Sequence, residues 1–333
     1  MSLEKNKRKN KTLVSIYHDI LPSLSHEIRE CIEEIEVNYL EKIEEIRIRE
    51  NRPLMISFNN KDYFVTKEGT LTNHPQRGYL VTRKDRESIL QLISDYSLYA
   101  IEEELKHGFL TLRGGHRVGL TGKTVLENGH IKTIKYISGF NFRISREIKG
   151  AGDKVMPYIR EKTGILHTLI ISPPQCGKTT LLRDIIRQLS DGDQRRGIPG
   201  VKVGVVDERS ELAGCYQGVP QNDIGIRTDV LDACPKAQGM IMLIRSMSPD
   251  IIATDEIGCK EDMAAIEEAL NAGIKIITTV HGKTLEEIKR KPFLKELIHQ
   301  KIFQRIIILS NAKGVGTIEN IVDGSTFKEL LMK

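Results

Sequence analysis

No stretch of this 333-residue sequence approaches the roughly 18 consecutive apolar residues that a membrane-spanning helix needs. The N-terminus carries charge without an apolar h-region behind it. Work at the inner face of a membrane is therefore expected to depend on partners that hold the protein there. Cysteine is sparse. Cys31, Cys176, Cys215, Cys234 and Cys259 are odd in number and show no CxxC or Cys/His metal spacing, which argues for a reducing, cytoplasmic setting. Aromatic residues are only 5% of the chain, few for a surface that stacks exposed bases. Charge of one sign is also scarce. Of the formal +5, four units come from Lys5, Lys7, Arg8, Lys9 and Lys11 against Glu4. The rest is almost neutral, which disfavours a body that grips nucleic acid and leaves residues 1–11 as a basic, solvated arm.

What is present is ordinary for a globular protein: 39% apolar and 29% charged residues, with length for about two domains. After the arm, Ile32, Ile35, Tyr39, Ile43 and Ile46 have helical spacing. Strand candidates follow at 46–48, 54–58 and 63–66, and a long helix is predicted from Thr82 to Leu105 with Ile89, Leu90, Ile93, Tyr96 and Ile101 inward. Further strands are predicted at 109–112, 118–121, 133–137 and 140–144, among Gly114, Gly115, Gly119, Gly122 and Gly129. Residues 12–148 read as a smaller α+β domain, 149–154 as a linker, and 155–333 as a second domain.

That second domain is organised around residues 168–180. The apolar run Thr168-Leu169-Ile170-Ile171 leads into Ser172-Pro173-Pro174-Gln175-Cys176-Gly177-Lys178-Thr179-Thr180, then into the helical pattern Leu181, Leu182, Ile185, Ile186, Leu189. A strand, a P-loop and a helix turn backbone N–H groups and a helix N-terminus toward one point, where triphosphate oxygens can be held. Lys178 is placed to reach the β/γ-phosphates and Thr179 to ligate Mg²⁺. The loop departs from G-x-x-x-x-G-K-[ST] at Ser172, and Gln175 stands where many such loops carry glycine. Serine at 172 is expected to take on a backbone shape that glycine adopts freely.

Three more apolar strands end in polar groups: Val201–Val206 before Asp207-Glu208-Arg209-Ser210-Glu211, Ile251–Thr254 before Asp255-Glu256, and Ile274–Val280 before His281. Strands of this kind suit a mostly parallel sheet with helices on both faces, whose ligands sit at the carboxyl ends of the strands. Asp255 fits the Mg²⁺ shell, and Glu256 fits acceptance of a proton from attacking water.

The order of P-loop, acidic box, residues 243–258 and Thr278-Thr279-Val280-His281 resembles the ring-forming secretion ATPases of type II and type IV systems. More narrowly, Gly114-Gly115-His116-Arg117-Val118-Gly119-Leu120-Thr121-Gly122, Val205–Glu211 and Arg227-Thr228-Asp229-Val230-Leu231 are similar to the stage III sporulation protein AA family. The resemblance implies a RecA-like P-loop core after a smaller α+β domain, and an ATPase that serves a sporulation channel or secretion apparatus. It also implies a homo-oligomeric, hexameric ring docked on membrane-embedded components. Asp207, Glu208 and Glu211 would line the nucleotide site, and His281 would sense the γ-phosphate. Arginines of the N-terminal domain would complete each site, with Arg143, Arg146, Arg113 and Arg117 as candidates, in cis or in trans. Arg209 and Arg245 would pair with the carboxylates or reach a neighbour's phosphate. Many secretion ATPases carry Gly-Glu where this chain has Asp255-Glu256. A nucleic-acid-dependent motor and a non-hydrolysing ATP switch are the alternatives. Asn311-Ala312-Lys313-Gly314 lacks the aspartate that guanine reading needs.

Overall fold

The computed structural model describes residues 11–161 and 164–331. The basic arm lies outside the described residues except for Lys11, which opens a short helix over Lys11–Ser15. The chain divides into two compact units, Met1–Arg146 and Glu147–Lys333.

In the first unit, helix α1 (His26–Glu33) precedes strands β1 (Glu45–Arg49), β2 (Met55–Phe58), β3 (Lys61–Val65) and β4 (Leu71–Thr72). Helices α2 (Arg83–Ile93) and α3 (Glu102–His107) lead to β5 (Phe109–Thr111), β6 (Arg117–Glu127) and β7 (His130–Arg143). The strands form one antiparallel sheet in the order β4-β3-β2-β1-β7-β6-β5. Alternation sends Ile46 and Ile48 of β1, Val118 and Leu120 of β6, and Phe140 and Phe142 of β7 into a core shared with Ile28, Ile32 and Ile89 of the helices.

Several expected elements differ. The single helix from Thr82 to Leu105 is two. Thr82 caps α2 in a reciprocal box with Asp85, but Asp95 and Tyr96 adopt left-handed φ of 47° and 61°, which stops the helix. Tyr96 is consequently 76% exposed instead of facing the core. The helical spacing from Ile32 to Ile46 is likewise shared by α1, a short turn at Val37–Leu40 and β1. The strands expected at 133–137 and 140–144 are one continuous β7, bent by a register shift near Tyr136 (φ 49°).

The second unit opens with the small pair β8 (Arg160–Glu161) and β9 (Gly164–Ile165). It continues as β10 (Thr168–Ser172), α4 (Lys178–Asp191), β11 (Val203–Asp207), β12 (Thr228–Asp232), α5 (Lys236–Ser246) and β13 (Ile251–Thr254). It ends with α6 (Lys260–Asn271), β14 (Lys275–His281), α7 (Pro292–His299), β15 (Arg305–Ser310) and β16 (Thr317–Asp323). The sheet order is β12-β11-β13-β14-β10-β15-β16, parallel except for β16. One face packs Leu169, Ile171, Val206, Ile252 and Ile276 against α5, α6 and α7; the other packs Ile170, Val205, Ala253 and Ile277 against α4. Burial on both faces explains why these strands read as unbroken apolar runs.

The segment 149–154, expected as a linker, is fastened into this second unit. Lys149 pairs with Asp223, and the Gly152 N–H donates to the Asp184 carboxylate at 2.8 Å. The cause is Asp184 itself, which is 3% exposed and must collect donors to stay ionised. Among the described residues no helix is long and apolar enough to cross a membrane.

Candidate active site

The strand order decides which side chains meet. Because β14 lies between β13 and β10, Ser172 and His281 are register partners at the carboxyl edge, and Asp255-Glu256 follow Thr254 one strand away. The P-loop begins at buried Ser172, whose hydroxyl donates to the Pro173 carbonyl at 2.9 Å. Pro174 and Gln175 are exposed, while Cys176 turns into the protein. Gly177 (φ 84°) closes the turn, and Lys178, Thr179 and Thr180 form the first turn of α4. A Cβ at Gly177 would lie 3.2–3.3 Å from Val315 and the backbone of Gly316, and the Gly316 N–H donates to the Cys176 carbonyl at 3.1 Å. The β15–β16 turn therefore braces the loop. The expected strain at Ser172 is absent, since Ser172 has no positive φ; it sits instead at Gln175, with φ 59°.

Lys178 Nζ lies 3.2 Å from Asp255 Oδ1 and 3.3 Å from Glu256 Oε2. Thr179 Oγ1 is 3.4 Å from Asp255 Oδ2. The same Glu256 Oε2 is met by His281 Nε2 at 3.2 Å and, more distantly, by Arg209 Nη1 at 3.9 Å. Glu256 holds a left-handed φ of 48°, a conformation that costs a non-glycine residue about 1–3 kcal/mol and persists only where its surroundings enforce it. Thr279 supplies that enforcement. Its hydroxyl donates to Asp255 Oδ1 and accepts from the Glu256 N–H at 3.0 Å, and its carbonyl accepts from the Ile257 N–H at 3.0 Å. Sequence reasoning assigned Thr279 no role, although it alternates with His281 on the same face of β14. Among the described residues His281 Nδ1 is buried without a hydrogen-bond partner.

The acidic box divides in two. Asp207 borders the cleft from its floor: it is only 1% exposed, and its carboxylate accepts N–H bonds from Glu211, Leu212 and Ala213 at 2.8–2.9 Å. Burial pushes its pKa up to about 6 against the opposing pull of those donors. Its work is to fold the loop that presents the rest. Glu208 pairs with Lys236 at the start of α5, and Glu208, Arg209, Glu211 and Lys236 border the same narrow cleft as Asp255 and Glu256. Lys236 is a second residue that sequence reasoning missed. Arg245 is exposed at the end of α5, away from these pairings.

The comparisons with known proteins agree with this architecture. The family model described as "Sporulation stage III, protein AA" matches residues 15–328. The chain belongs to this family. It is 44% identical to Stage III sporulation protein AA of Bacillus subtilis (strain 168) over 306 residues, covering 92% of this chain and 95% of that protein. Among solved structures, the ATPase DotB of Yersinia pseudotuberculosis matches with a TM-score of 0.55 at 15% identity, over 86% of this chain and 76% of that one. The ADP-bound pilus retraction motor PilT matches with a TM-score of 0.53 at 14% identity, over 86% and 77%. These likenesses make the fold a RecA-like P-loop core preceded by a smaller α+β unit.

In the first unit, the glycine-rich stretch 114–122 is a packing device. Gly114 has φ 74°, and a Cβ there would fall 2.5 Å from the Asp19 carboxylate. His116 is fully buried; it accepts the Ser145 N–H on Nδ1 at 3.0 Å and lies 2.7 Å from the Ser15 hydroxyl through Nε2. Arg117 stacks 3.3 Å over the Phe109 ring. Of the two arginines nearest the unit boundary, Arg143 is 62% exposed with its Nε 3.5 Å from Glu45. Arg146 donates to the carbonyls of Glu41 and Ile43 at 3.1 Å each.

Proposed function

We propose that this protein is a Mg²⁺-dependent ATP hydrolase of the secretion-motor type, which converts turnover into movement of its first unit and energises a sporulation channel or secretion apparatus. The observation that carries the reading is the convergence of Lys178, Asp255, Glu256 and His281 at the end of the P-loop strand. Thr179 and Asp255 suit Mg²⁺, since a hydroxyl and a carboxylate oxygen 3.4 Å apart are the hard donors this ion prefers. Held by Thr179 and Asp255, Mg²⁺ would supply positive charge that offsets the negative charge developing on the phosphates.

The chain's own residues would act in order. The P-loop N–H groups and the α4 N-terminus hold the phosphates, and Lys178 leaves the carboxylates for the β/γ-oxygens. Glu256 is then released from its cation and keeps His281 as partner. Water attacks the γ-phosphorus, the bond to the β–γ bridging oxygen breaks, ADP departs, and the water proton passes to Glu256. The buried Nδ1 of His281 has no partner among the described residues, which suits a residue whose hydrogen bonding is completed when the site is occupied. Arg143 or Arg146 would supply the remaining positive charge, in cis or from a neighbour in a hexameric ring, and membrane-embedded components would hold that ring at the inner face of the membrane.

The nucleic-acid motor loses support, because the Gly114 loop that would grip a phosphate backbone packs on the carboxylate of Asp19. The test is phosphate release by the full chain with ATP, in Mg²⁺ and in EDTA, beside its solution mass with and without nucleotide. Mg²⁺-dependent release that ignores added single-stranded nucleic acid is expected. Failure to bind ATP overturns the P-loop reading, and tight binding without release leaves the non-hydrolysing switch.

A further inference from the structure

The turn between β15 and β16, residues 311–316, stands on the far side of the phosphate loop from the acidic groups. Sheet order fixes this, because β10 lies between β14 and β15: Glu256 and His281 follow β13 and β14 on one flank, and the turn follows β15 on the other. The turn is held by its own hydrogen bonds. The Thr317 hydroxyl donates to the Gly314 carbonyl at 2.6 Å, the Gly314 N–H to the Asn311 carbonyl at 3.1 Å, and the Gly316 N–H to the Cys176 carbonyl of the phosphate loop at 3.1 Å. Gly314 and Gly316 hold φ of 108° and 83°, which glycine takes up freely. Between them Val315 is 74% exposed, although valine is apolar and stiff about its one side-chain torsion. It stands directly against the phosphate loop, since a Cβ on Gly177 would lie 3.2 Å from its Cγ1. Residues 311–316 carry no carboxylate.

We propose that Val315 is one wall of the site for the nucleobase, with the flat face of the base laid on its side chain. The proposal rests on the P-loop reading and adds a direction to it. Lys178, 3.3 Å from Glu256, marks where the γ-phosphate sits. A triphosphate that lies across the loop with that end beside Glu256 sends its α-phosphate, ribose and base toward the opposite flank, where the turn stands. From the end of β13 to the end of β15 is three strand spacings, roughly 14 Å, which matches the reach of an extended nucleoside triphosphate. The turn suits both parts of the ligand. With no carboxylate it does not repel the α-phosphate, and a base resting on Val315 removes apolar surface from water on both sides. Such a contact reads the face of the base and not its edge. It therefore favours a nucleotide over bare polyphosphate but separates adenine from guanine poorly, because rejecting one ring requires hydrogen bonds placed for the edge of the other.

The test is calorimetric titration of the full chain, in Mg²⁺, with the β,γ-imido analogues of ATP and GTP and with inorganic tripolyphosphate. Both nucleotides should bind the parent more tightly than tripolyphosphate does. Val315→Ser should weaken both nucleotides by roughly threefold to tenfold and leave tripolyphosphate unchanged, while Val315→Leu, which keeps an apolar wall, should stay close to the parent. Because the side chain is exposed, the thermal midpoint of the free protein should hold in both variants. Tripolyphosphate that binds the parent as tightly as the nucleotides do would overturn the proposal, since the base would then contribute nothing. An equal loss of all three ligands in Val315→Ser would also overturn it, and would assign Val315 to bracing the phosphate loop. So would a Val315→Ser variant that binds all three as the parent does. These three results leave the P-loop reading standing. A parent that binds none of the ligands ends that reading and the nucleobase site with it.

Discussion

The ammonium of Lys178 lies 3.3 Å from Oε2 of Glu256, so the phosphate-binding cation and the candidate base neutralise each other until a ligand separates them. ATP binding must therefore spend part of its electrostatic gain on breaking this pair. Glu256→Gln removes the competing charge together with the base. It should lower kcat by roughly 10²-fold or more while ATP affinity stays equal or rises. Single-turnover phosphate release and equilibrium binding of a fluorescent ATP analogue measure the two effects. A variant that turns over at the parental rate moves the base elsewhere, with Glu208 the next candidate.

Lys178→Ala should behave in the opposite way. It removes charge-assisted bonds to the phosphates, which contribute about 1.5–3 kcal/mol each, so Mg-ATP affinity should fall at least tenfold. Helix α4 is anchored by Leu181, Leu182, Ile185, Ile186 and Leu189, all buried, and the thermal midpoint should hold. Unaltered binding of the analogue would end the P-loop reading.

Gln175 carries the loop's left-handed strain, with φ 59°. Gln175→Gly relieves it but loosens the unfolded chain, two effects of up to about 1 kcal/mol each that nearly cancel. Gln175→Val cannot escape, because a β-branched residue is poorly tolerated at positive φ. Urea unfolding should find the glycine variant near the parent and the valine variant destabilised by roughly 1–2 kcal/mol, with ATP affinity reduced as well. Equal stability of the parent and the valine variant would show that the loop is unstrained.

Much of this site was legible because its chemistry is written at strand ends. The parallel strands announce themselves as apolar runs, and Lys178, Thr179, Asp255, Glu256 and His281 follow such runs directly. Less legible was what depends on three-dimensional partners. Asp207 looks like its neighbour Glu208, yet one side chain is buried under three N–H donors and the other is half-exposed against Lys236. Only the strand order shows that Thr279 reaches Asp255. In the first unit, Asp95 and Tyr96 interrupt a good helical pattern without proline or glycine to announce it; only Asp95 is of a type enriched in left-handed backbone, and one aspartate is a weak signal inside a strong apolar periodicity. The fastening of 149–154 was hidden for a related reason: glycines suggest freedom, and the partner that removes it, Asp184, is more than thirty residues away.

Asp207 makes stability depend on pH in a direction unusual for a carboxylate. Burial raises its pKa to about 6 in the folded protein, above the roughly 3.9 of an unfolded chain. Between those values the folded state binds the extra proton, so this group's contribution to stability rises as pH falls through 6 and levels off below about 4. Asn cannot titrate. The stability gap between the parent and Asp207→Asn should widen by roughly 1 kcal/mol between pH 7 and pH 5, read by urea unfolding at both values. A gap that narrows on acidification would mean that the three N–H donors outweigh burial and hold the folded pKa low.

Arg143 and Arg146 are separated by three positions, but their surroundings set different expectations for them. Arg146 spends its guanidinium on the carbonyls of Glu41 and Ile43, whereas Arg143 is 62% exposed and, among the described residues, its one ion pair is with the Glu45 carboxylate at 3.5 Å. An exposed pair of that kind contributes about 0–1 kcal/mol, so the Arg143 side chain is free to leave it. If the first unit supplies an arginine to a nucleotide site, Arg143 is the better placed by this criterion, and arginines delivered across a boundary contribute about 10³–10⁵ in phosphoryl transfer. Arg143→Ala in the full chain should lower kcat by orders of magnitude, with ATP affinity and thermal midpoint little changed. Arg146→Ala should instead cost roughly 1 kcal/mol of stability through its lost hydrogen bonds, with a smaller effect on kcat. Glu45→Gln, which removes the carboxylate beside Arg143, should leave kcat at or above the parental value. If the arginine acts in trans, parental specific activity should rise with protein concentration, and inactive Arg143→Ala subunits should be rescued by mixing with inactive Lys178→Ala subunits. Parental kcat in Arg143→Ala at every concentration would remove the first unit from the chemistry and leave it a docking module.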